Sequence, residues 1–190
     1  LPAGTRLAYD QICINAAAPK AHQPKVSKFE LVEGDKTVAV SGKTEYAGVF
    51  VERASGWKAV FDKTAGTLVS YELTGRNILA APLSPILWGA ATENDLGASY
   101  WNRKFVDCIA PWRDAVYTPV SFSAQDKGEY VAVSVKYGAI AEYAYVSVDF
   151  NIYGDGSIVV TENLTDAGKL SQAPVLGRFG MRFAMPGEYS

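Results

Sequence analysis

The chain has 190 residues, of which 48% are hydrophobic and 20% are charged, and its formal net charge is −2. This balance is typical of one globular domain with a sizeable core. It gives no electrostatic basis for binding nucleic acid or an anionic membrane surface, and no apolar run approaches the roughly 20 residues of a membrane span. Cys13 and Cys108 fit no metal-ligand spacing and are interpreted as apolar thiols, with a disulfide between them as the alternative.

The first 26 residues predict a strand and a linker. Apolar and polar residues alternate weakly within residues 1–15, which favours a strand. Residues 16–26 contain two prolines and an alanine run, a composition typical of a linker. We expect residues 1–15 to be the tail of a preceding domain and residues 27–190 to form the main domain. The lack of an initiating Met at Leu1 favours a chain that begins inside a longer reading frame.

From residue 27 onward the sequence predicts strands and turns. The run Val131–Tyr137 alternates with the period of two that a half-buried strand requires. Turns with glycine separate such runs, as at Asp62–Gly66 and Gly154–Gly156. Only residues 99–107 and 110–115 favour short helical turns. The predicted strands are Phe29–Glu33, Thr37–Val40, Tyr46–Glu52, Trp57–Phe61, Leu68–Leu73, Val131–Tyr137, Val146–Ile152, Ile158–Thr161 and Leu176–Ala184. We therefore expect an all-β fold, an antiparallel sandwich of two sheets.

An apolar segment with Trp88 leads directly into three adjacent polar residues, Glu93, Asn94 and Asp95. Such a group can cap a turn, hold a loop by hydrogen bonds or bind an ion. We interpret it as a loop-anchoring turn. Cation binding by Glu93 and Asp95 is the alternative, and a catalytic pair of these two carboxylates is the least favoured interpretation.

Four segments, in matching order and spacing, resemble large bacterial β-galactosidases, the long-chain type of glycoside hydrolase family 2. They are Pro2–Gln11, Phe61–Tyr71, Pro82–Gly97 and Tyr153–Gly156. The resemblance implies that residues 1–15 close an immunoglobulin-like penultimate domain. It also implies that residues 27–190 are the first part of the C-terminal domain, a galactose-mutarotase-like supersandwich that is truncated here. This part corresponds to the β-galactosidase small-chain region.

One of these segments, Pro82–Gly97, is called the signature segment here, and it departs from the family pattern at three positions. Gly89 stands where arginine is usual, Ala91 where proline is usual, and Glu93 where aspartate is usual. Loss of a guanidinium removes five hydrogen-bond donors. Any ion pair that the family makes at position 89 is therefore missing or replaced in this chain.

The resemblance implies a non-catalytic C-terminal region of a retaining β-galactosidase, which hydrolyses terminal β-D-galactosides such as lactose. The family's two catalytic carboxylates belong to a (β/α)8 barrel, and the parallel βαβ alternation of a barrel does not occur in this sequence. We therefore assign no catalytic residue and expect the fragment alone to be inactive. No cofactor is expected in it, whereas Mg²⁺ and Na⁺ are implied for the full-length enzyme. Glu93 and Asp95 are only weak metal candidates.

The family resemblance places the loop after Asp95 near the mouth of the active site, where the glycine at Gly97 suits a hinge. Trp57 and Trp88 lie in apolar strand patterns and are predicted to be core. Trp112 lies next to charged residues, as Trp101 does, so both are candidates for a sugar or domain contact. The candidate substrate-rim residues are Glu93, Asn94, Asp95, Gly97, Trp101 and Arg103.

The implied partners are an upstream catalytic barrel of the same polypeptide and a β-galactoside substrate. Unpaired sheet edges predict self-association unless another segment covers them. An independent carbohydrate-binding β-sandwich module is the alternative function, and a purely structural interdomain sandwich is a third. A stand-alone mutarotase is disfavoured, because proton transfer at the anomeric carbon uses histidines in that family and His22 lies in the linker. The compartment stays open, since the family occurs in both bacterial cytoplasm and periplasm.

Overall fold

A computed structural model describes residues 28–48, 51–90, 99–100 and 103–189. The predicted N-terminal strand (1–15), the linker (16–26), Cys13 and His22 lie outside these ranges. The strands are β1 Phe29–Glu33, β2 Thr37–Gly48, β3 Val51–Asp62, β4 Thr67–Leu73, β5 Arg76–Asn77, β6 Ala81–Ile86, β7 Ser99–Tyr100, β8 Arg103–Lys104, β9 Pro119–Asp126, β10 Tyr130–Tyr137, β11 Ala144–Tyr153, β12 Ile158–Asp166 and β13 Gly180–Ala184. The helices are α1 Phe105–Cys108 and α2 Ala110–Arg113, with 3₁₀ turns at Leu170–Gln172 and Gly187–Tyr189. Within the described ranges, no helix is long and apolar enough to cross a membrane.

Two antiparallel sheets contain most of these strands. The larger sheet has seven strands in the order β1-β2-β3-β4-β6-β13, with β5 paired to β4, and the smaller sheet has the order β12-β11-β10-β9. β7 and β8 form a separate short hairpin. The predicted all-β antiparallel class is therefore confirmed.

Several element predictions differ from the structure. Residues 99–107, predicted as a short helical turn, include the strands β7 and β8, and β12 continues to Asp166 beyond its predicted end at Thr161. The predicted strand Tyr46–Glu52 is divided, because β2 ends at Gly48 and β3 begins at Val51, and the two strands pair antiparallel. Gly48 is the only turn-forming residue in this stretch, and a single glycine among apolar residues is a weak turn signal. β6 and β9 were not predicted, since prolines in both weaken the strand pattern. The last strand begins only at Gly180, later than predicted.

The core lies between the facing sides of the two sheets. Along β10 and β11, every second residue is buried, as period-two alternation requires. Across the interface, the ring of Phe61 on β3 meets the ring of Phe150 on β11 edge to face, with centroids 5.1 Å apart. Each fully buried apolar side chain of this size stabilises the fold by about 1.5–3 kcal/mol. The buried apolar residues that lie on strands are Val38, Val40, Trp57, Ala59, Phe61, Leu68, Val131, Val133, Val135, Tyr137, Ala144, Val146, Val148, Phe150 and Ile152.

Turns of one sheet are bonded to strands of the other. The Tyr137 hydroxyl donates to the carbonyl of Gly66, at 2.7 Å. Gly66 ends the β3–β4 turn with φ of 69°, a backbone conformation that glycine adopts without strain, and the predicted turn at Asp62–Gly66 is confirmed. At the opposite end, the indole N–H of Trp57 donates to the carbonyl of Gly154 in the β11–β12 turn, at 3.1 Å. These bonds fix the relative position of the two sheets.

The Trp57 indole is enclosed by two glycines from different sheets. A Cβ added at Gly42 on β2 would lie 2.8 Å from the indole Cζ2, and one added at Gly156 would lie 2.9 Å from Cγ. Such distances are too short for a real side chain. The large ring is therefore accommodated because both neighbouring positions lack one.

Candidate functional site

Residues 91–97 of the signature segment, and most of the candidate rim residues, lie outside the described part of the chain. Glu93, Asn94, Asp95 and Gly97 are not described, and neither is Trp101. The backbone of Arg103 belongs to β8 and pairs with Tyr100, but its side chain is not described. The grouping of these residues at a substrate rim therefore stays a prediction, and the structure describes the segments on either side of them.

The segment before residues 91–98 is anchored in the core. Leu87 is fully buried, and its backbone N–H donates to the hydroxyl of Tyr117, at 3.0 Å. Trp88 packs against the buried cluster, as does Trp57, which is 3% exposed. The prediction of a core position is therefore confirmed for Trp57, whereas Trp88 is half-buried at the margin of the core.

Gly89 lies against the guanidinium of Arg178. A Cβ added at Gly89 would be 3.3 Å from Nε and 3.5 Å from Cζ of Arg178. The resembling family usually has arginine at the position of Gly89. The guanidinium of Arg178, from a distant segment, therefore lies beside position 89. A larger side chain in place of Gly89 would contact it.

The segment after residues 101–102 is anchored by Trp112 on α2. This side chain is 2% exposed, its indole N–H donates to the carbonyl of Pro174 at 3.2 Å, and its ring centroid lies 5.6 Å from that of Tyr143. The prediction of a surface role for Trp112 was therefore wrong. Successive residues of a helical turn point about 100° apart, so the charged neighbours of a buried residue still reach solvent.

Arg113 and Asp114 form an exposed pair beside this anchor. Two hydrogen bonds join them, Nε to Oδ1 and Nη2 to Oδ2, each 2.8 Å long. The hydrogen bond between them raises the pKa of Arg113 and lowers the pKa of Asp114. Because water screens exposed pairs, this one orders the surface more than it stabilises the fold.

A half-buried acid that the sequence analysis missed lies on β12. Glu162 Oε1 is buried and has no hydrogen-bond partner among the described residues. Burial raises the pKa of its carboxyl group from 4.5 to about 7. Its negative charge also raises the pKa values of Tyr117 and Tyr137, for which burial is the larger cause. The sequence signal was available, because Glu162 occupies an inward position between Val160 and Leu164 in an alternating strand.

The described residues offer no preassembled metal centre. Within the described ranges, no group of three or more His, Cys, Asp or Glu side chains is placed to hold a metal ion. The sequence candidates for a metal, Glu93 and Asp95, lie outside those ranges. A shallow cleft between β1 and β2 is lined by Lys28, Phe29, Glu30, Ser41, Gly42 and Lys43.

Comparison with known proteins identifies the family. The family model described as "Beta galactosidase small chain" matches residues 53–190. Similar proteins include β-galactosidases of Priestia megaterium, 25% identical over 92% of this chain, and of Halalkalibacterium halodurans, 24% identical over 98% of this chain. A third, from Clostridium acetobutylicum, is 25% identical over 98% of this chain. The chain spans 16%, 17% and 19% of the lengths of these three relatives. The chain therefore belongs to the Beta galactosidase small chain family.

Proposed function

We propose that this chain is a non-catalytic region of a β-galactosidase, which packs beside the sugar-cleaving domain and helps to shape the substrate entrance. The observation that carries the proposal is the match of nearly the whole chain to less than a fifth of each β-galactosidase. A region of this size within a larger enzyme needs no catalytic residues of its own. We place the retaining carboxylate pair in an upstream (β/α)8 barrel of the same polypeptide, with Mg²⁺ and Na⁺ bound there.

The finer domain assignment belongs to the same proposal. We assign residues 1–15 to the tail of an immunoglobulin-like domain, residues 16–26 to a linker, and residues 27–190 to the first part of a mutarotase-like supersandwich of glycoside hydrolase family 2. The antiparallel order of the two sheets is consistent with this assignment. The substrate would be a terminal β-D-galactoside of the lactose type.

The packing role is supported by an apolar edge on the larger sheet. β13 pairs with β6 on one side, and its residues Arg182, Phe183 and Ala184 are exposed, so neither face of its second half is covered. The edge and the segment before it expose these large apolar side chains: Val175, Leu176, Phe179, Phe183 and Met185. Exposed apolar strands at a sheet edge are sites of strand pairing. In the parent enzyme this edge would contact another part of the polypeptide, and in the isolated chain it would promote self-association.

The rim role is assigned to Glu93, Asn94, Asp95 and Gly97 of the signature segment and to Trp101 and Arg103, which follow it. It is supported by the anchoring of both flanks, through Leu87 on one side and Trp112 on the other. Anchored flanks allow a segment between them to be held at a defined place beside a neighbouring domain. This is the arrangement that a substrate entrance requires.

The first experiment separates the region from the rest of the enzyme. The purified 190-residue chain should not hydrolyse a chromogenic β-galactoside, while the parent polypeptide without this region should lose activity and regain it when the chain is added. Robust turnover by the 190-residue chain would refute a non-catalytic role. Full activity of the shortened parent would refute a contribution to the active site.

The second experiment tests the rim in the full-length enzyme. Gly97→Ala restricts the backbone of the proposed hinge and should change kcat or KM for lactose by several-fold. Gly75→Ala is the matched control, because Gly75 lies in the β4–β5 turn with no atom within 4 Å of an added Cβ. Equal kinetic constants for the two variants would contradict a role for Gly97 in the rim.

An independent carbohydrate-binding module is the second candidate. The outer face of the smaller sheet carries a pair of tyrosines, Tyr130 and Tyr153, with ring centroids 5.4 Å apart. Aromatic rings with a nearby amide group are suited to sugar rings, and Asn151 lies two residues before Tyr153 on the same face of β11. Calorimetric titration of the chain with lactose tests this function, and binding that Tyr130→Ala abolishes would favour it over the packing role.

A further inference from the structure

The segment that leads into β13 contacts two separate parts of the chain. The carbonyl oxygen of Pro174 accepts a hydrogen bond from the indole N–H of Trp112 on α2, at 3.2 Å. A Cβ added at Gly177 would lie 3.8 Å from the backbone nitrogen of Gly89 and 3.8 Å from Cδ1 of the buried Ile109. These contacts fix the backbone of this segment beside Gly89, which belongs to the signature segment.

The next residue, Arg178, extends its side chain across Gly89. A Cβ added at Gly89 would lie 3.7 Å from Cβ, 3.3 Å from Nε and 3.5 Å from Cζ of Arg178. The arginine side chain therefore passes, from its base to its guanidinium, through the space that a side chain at position 89 would need. Gly89 does not have a positive φ, so the volume of Arg178, and not backbone strain, limits which residue fits at position 89.

The described part of the chain makes no use of this guanidinium. Arg178 is exposed, and among the described residues it takes part in no ion pair. Arginine carries five N–H donors in a planar arrangement that suits carboxylate and other oxygen acceptors. A guanidinium that its backbone holds in place, with no partner among the described residues, is suited to bind oxygen atoms of a neighbouring group.

The position beside Arg178 is also where the chain departs from the family pattern. The resembling family usually has arginine where this chain has Gly89, so the guanidinium of that arginine is either missing or replaced. Arginine side chains at positions 89 and 178 would compete for one space, and their like charges would repel each other. One guanidinium therefore fits beside the backbone at position 89, and in this chain it belongs to Arg178.

We propose that Arg178 is a further positioning residue of the substrate entrance, and that it replaces the arginine that the family usually has at position 89. Its guanidinium donates hydrogen bonds to oxygen atoms at the entrance and so keeps the entrance in the shape that admits the galactoside. This inference rests on the proposed rim function, because it requires the signature segment to lie beside the active site.

The test moves the arginine between the two positions in the full-length enzyme. Arg178→Ala should raise KM for lactose about tenfold and leave kcat within about twofold, because an entrance residue acts on binding rather than on the chemical step. Adding Gly89→Arg to Arg178→Ala should return KM to within about threefold of the wild-type value. Adding Gly89→Met instead, which supplies a long side chain without charge, should leave KM raised.

Arg182→Ala is the matched control, since Arg182 is another exposed arginine, on β13, and its variant should keep the wild-type KM. Urea unfolding of the 190-residue chain checks the fold, and Arg178→Ala should leave its midpoint unchanged. Arg178→Lys keeps the charge without the planar donors, so it should raise KM by less than alanine does.

A raised KM that Gly89→Arg does not lower, or that Gly89→Met lowers equally, would overturn the replacement of one arginine by the other. A lower unfolding midpoint in Arg178→Ala would also overturn it, because the residue would then serve the fold. If Gly97→Ala changes the kinetic constants and Arg178→Ala does not, this inference is wrong while the rim function stands. If neither variant changes them, the rim function is refuted, and the role of Arg178 with it.

Discussion

Replacement of Gly66 by alanine tests how closely the β3–β4 turn fits the smaller sheet. An added Cβ would lie 2.6 Å from Val135 Cγ1 and 2.9 Å from Pro119 Cγ. The residue also has φ of 69°, which costs a residue with a Cβ about 1 kcal/mol. Overpacking of a close-packed contact costs about 1–3 kcal/mol more. We expect Gly66→Ala to lower the free energy of unfolding by about 2–4 kcal/mol.

Gly75→Ala separates the two contributions. Gly75 has φ of 79°, and no atom of the described residues lies within 4 Å of its added Cβ. This variant should therefore lose only the backbone contribution, about 1 kcal/mol. Both variants gain the same small stabilisation from reduced freedom of the unfolded chain, which cancels in the comparison.

Urea unfolding followed by tryptophan fluorescence measures both free energies. The difference between the two variants is the steric cost of contact with Val135 and Pro119. If Gly66→Ala and Gly75→Ala agree within about 0.5 kcal/mol, the turn does not fit against β9 and β10 as tightly as the geometry requires.

Three further predictions concern stability and association. Trp57→Phe should lower the free energy of unfolding by about 2 kcal/mol, because it removes the bond to Gly154 and leaves part of a core site empty; urea unfolding measures it. Glu162 has a folded-state pKa of about 7, above its ordinary 4.5, so its stabilising contribution is present below about pH 4.5 and is lost as the pH rises through 7. After allowance for its partial exposure, the wild type should lose about 1–2 kcal/mol more than Glu162→Gln between about pH 5 and pH 8, measured by urea unfolding. Phe183→Ser should reduce self-association in analytical sedimentation without loss of stability, since Phe183 is 52% exposed on β13.

Each of these predictions has an outcome that contradicts it. An unchanged unfolding midpoint in Trp57→Phe would show that the Gly154 bond adds nothing to the sandwich. Parallel pH profiles for the wild type and Glu162→Gln would show that the carboxyl group is solvated. If Phe183→Ser and an outer-face control, Thr161→Ser, associate equally, the apolar edge is not the contact.

The strands that were predicted most clearly from sequence are those in which apolar and polar residues alternate with a period of two. β10 and β11 bury every second residue between two sheets. Apolar residues therefore occupy every second position of their sequences, and this alternation predicts both strands. β6 was missed because Pro82 and Pro85 weaken the strand signal, whereas its pairing with β13 depends on a partner about a hundred residues away. Long-range pairing of this kind has no local sequence signal.

The surroundings of the signature segment were predicted less well for a related reason. Trp112 was assigned to the surface from its charged neighbours, but its burial depends on contacts with Tyr143 and Pro174. Glu162 was overlooked because the predicted strand ended at Thr161, whereas the alternation of β12 continues to Asp166. Local composition predicts which residues alternate, while tertiary contacts decide which polar groups are buried.

The enclosure of Trp57 by Gly42 and Gly156 has a consequence for sequence variation among relatives. Gly42 has an ordinary extended backbone, so only the volume of the indole excludes a methyl group there, whereas Gly156, with φ of 85°, is excluded by its backbone as well. Relatives with a smaller residue in place of Trp57 should thus be the ones that tolerate alanine or serine in place of Gly42, while glycine persists in place of Gly156. Positions 42 and 57 should therefore covary in volume, so that a larger residue in place of Gly42 accompanies a smaller residue in place of Trp57.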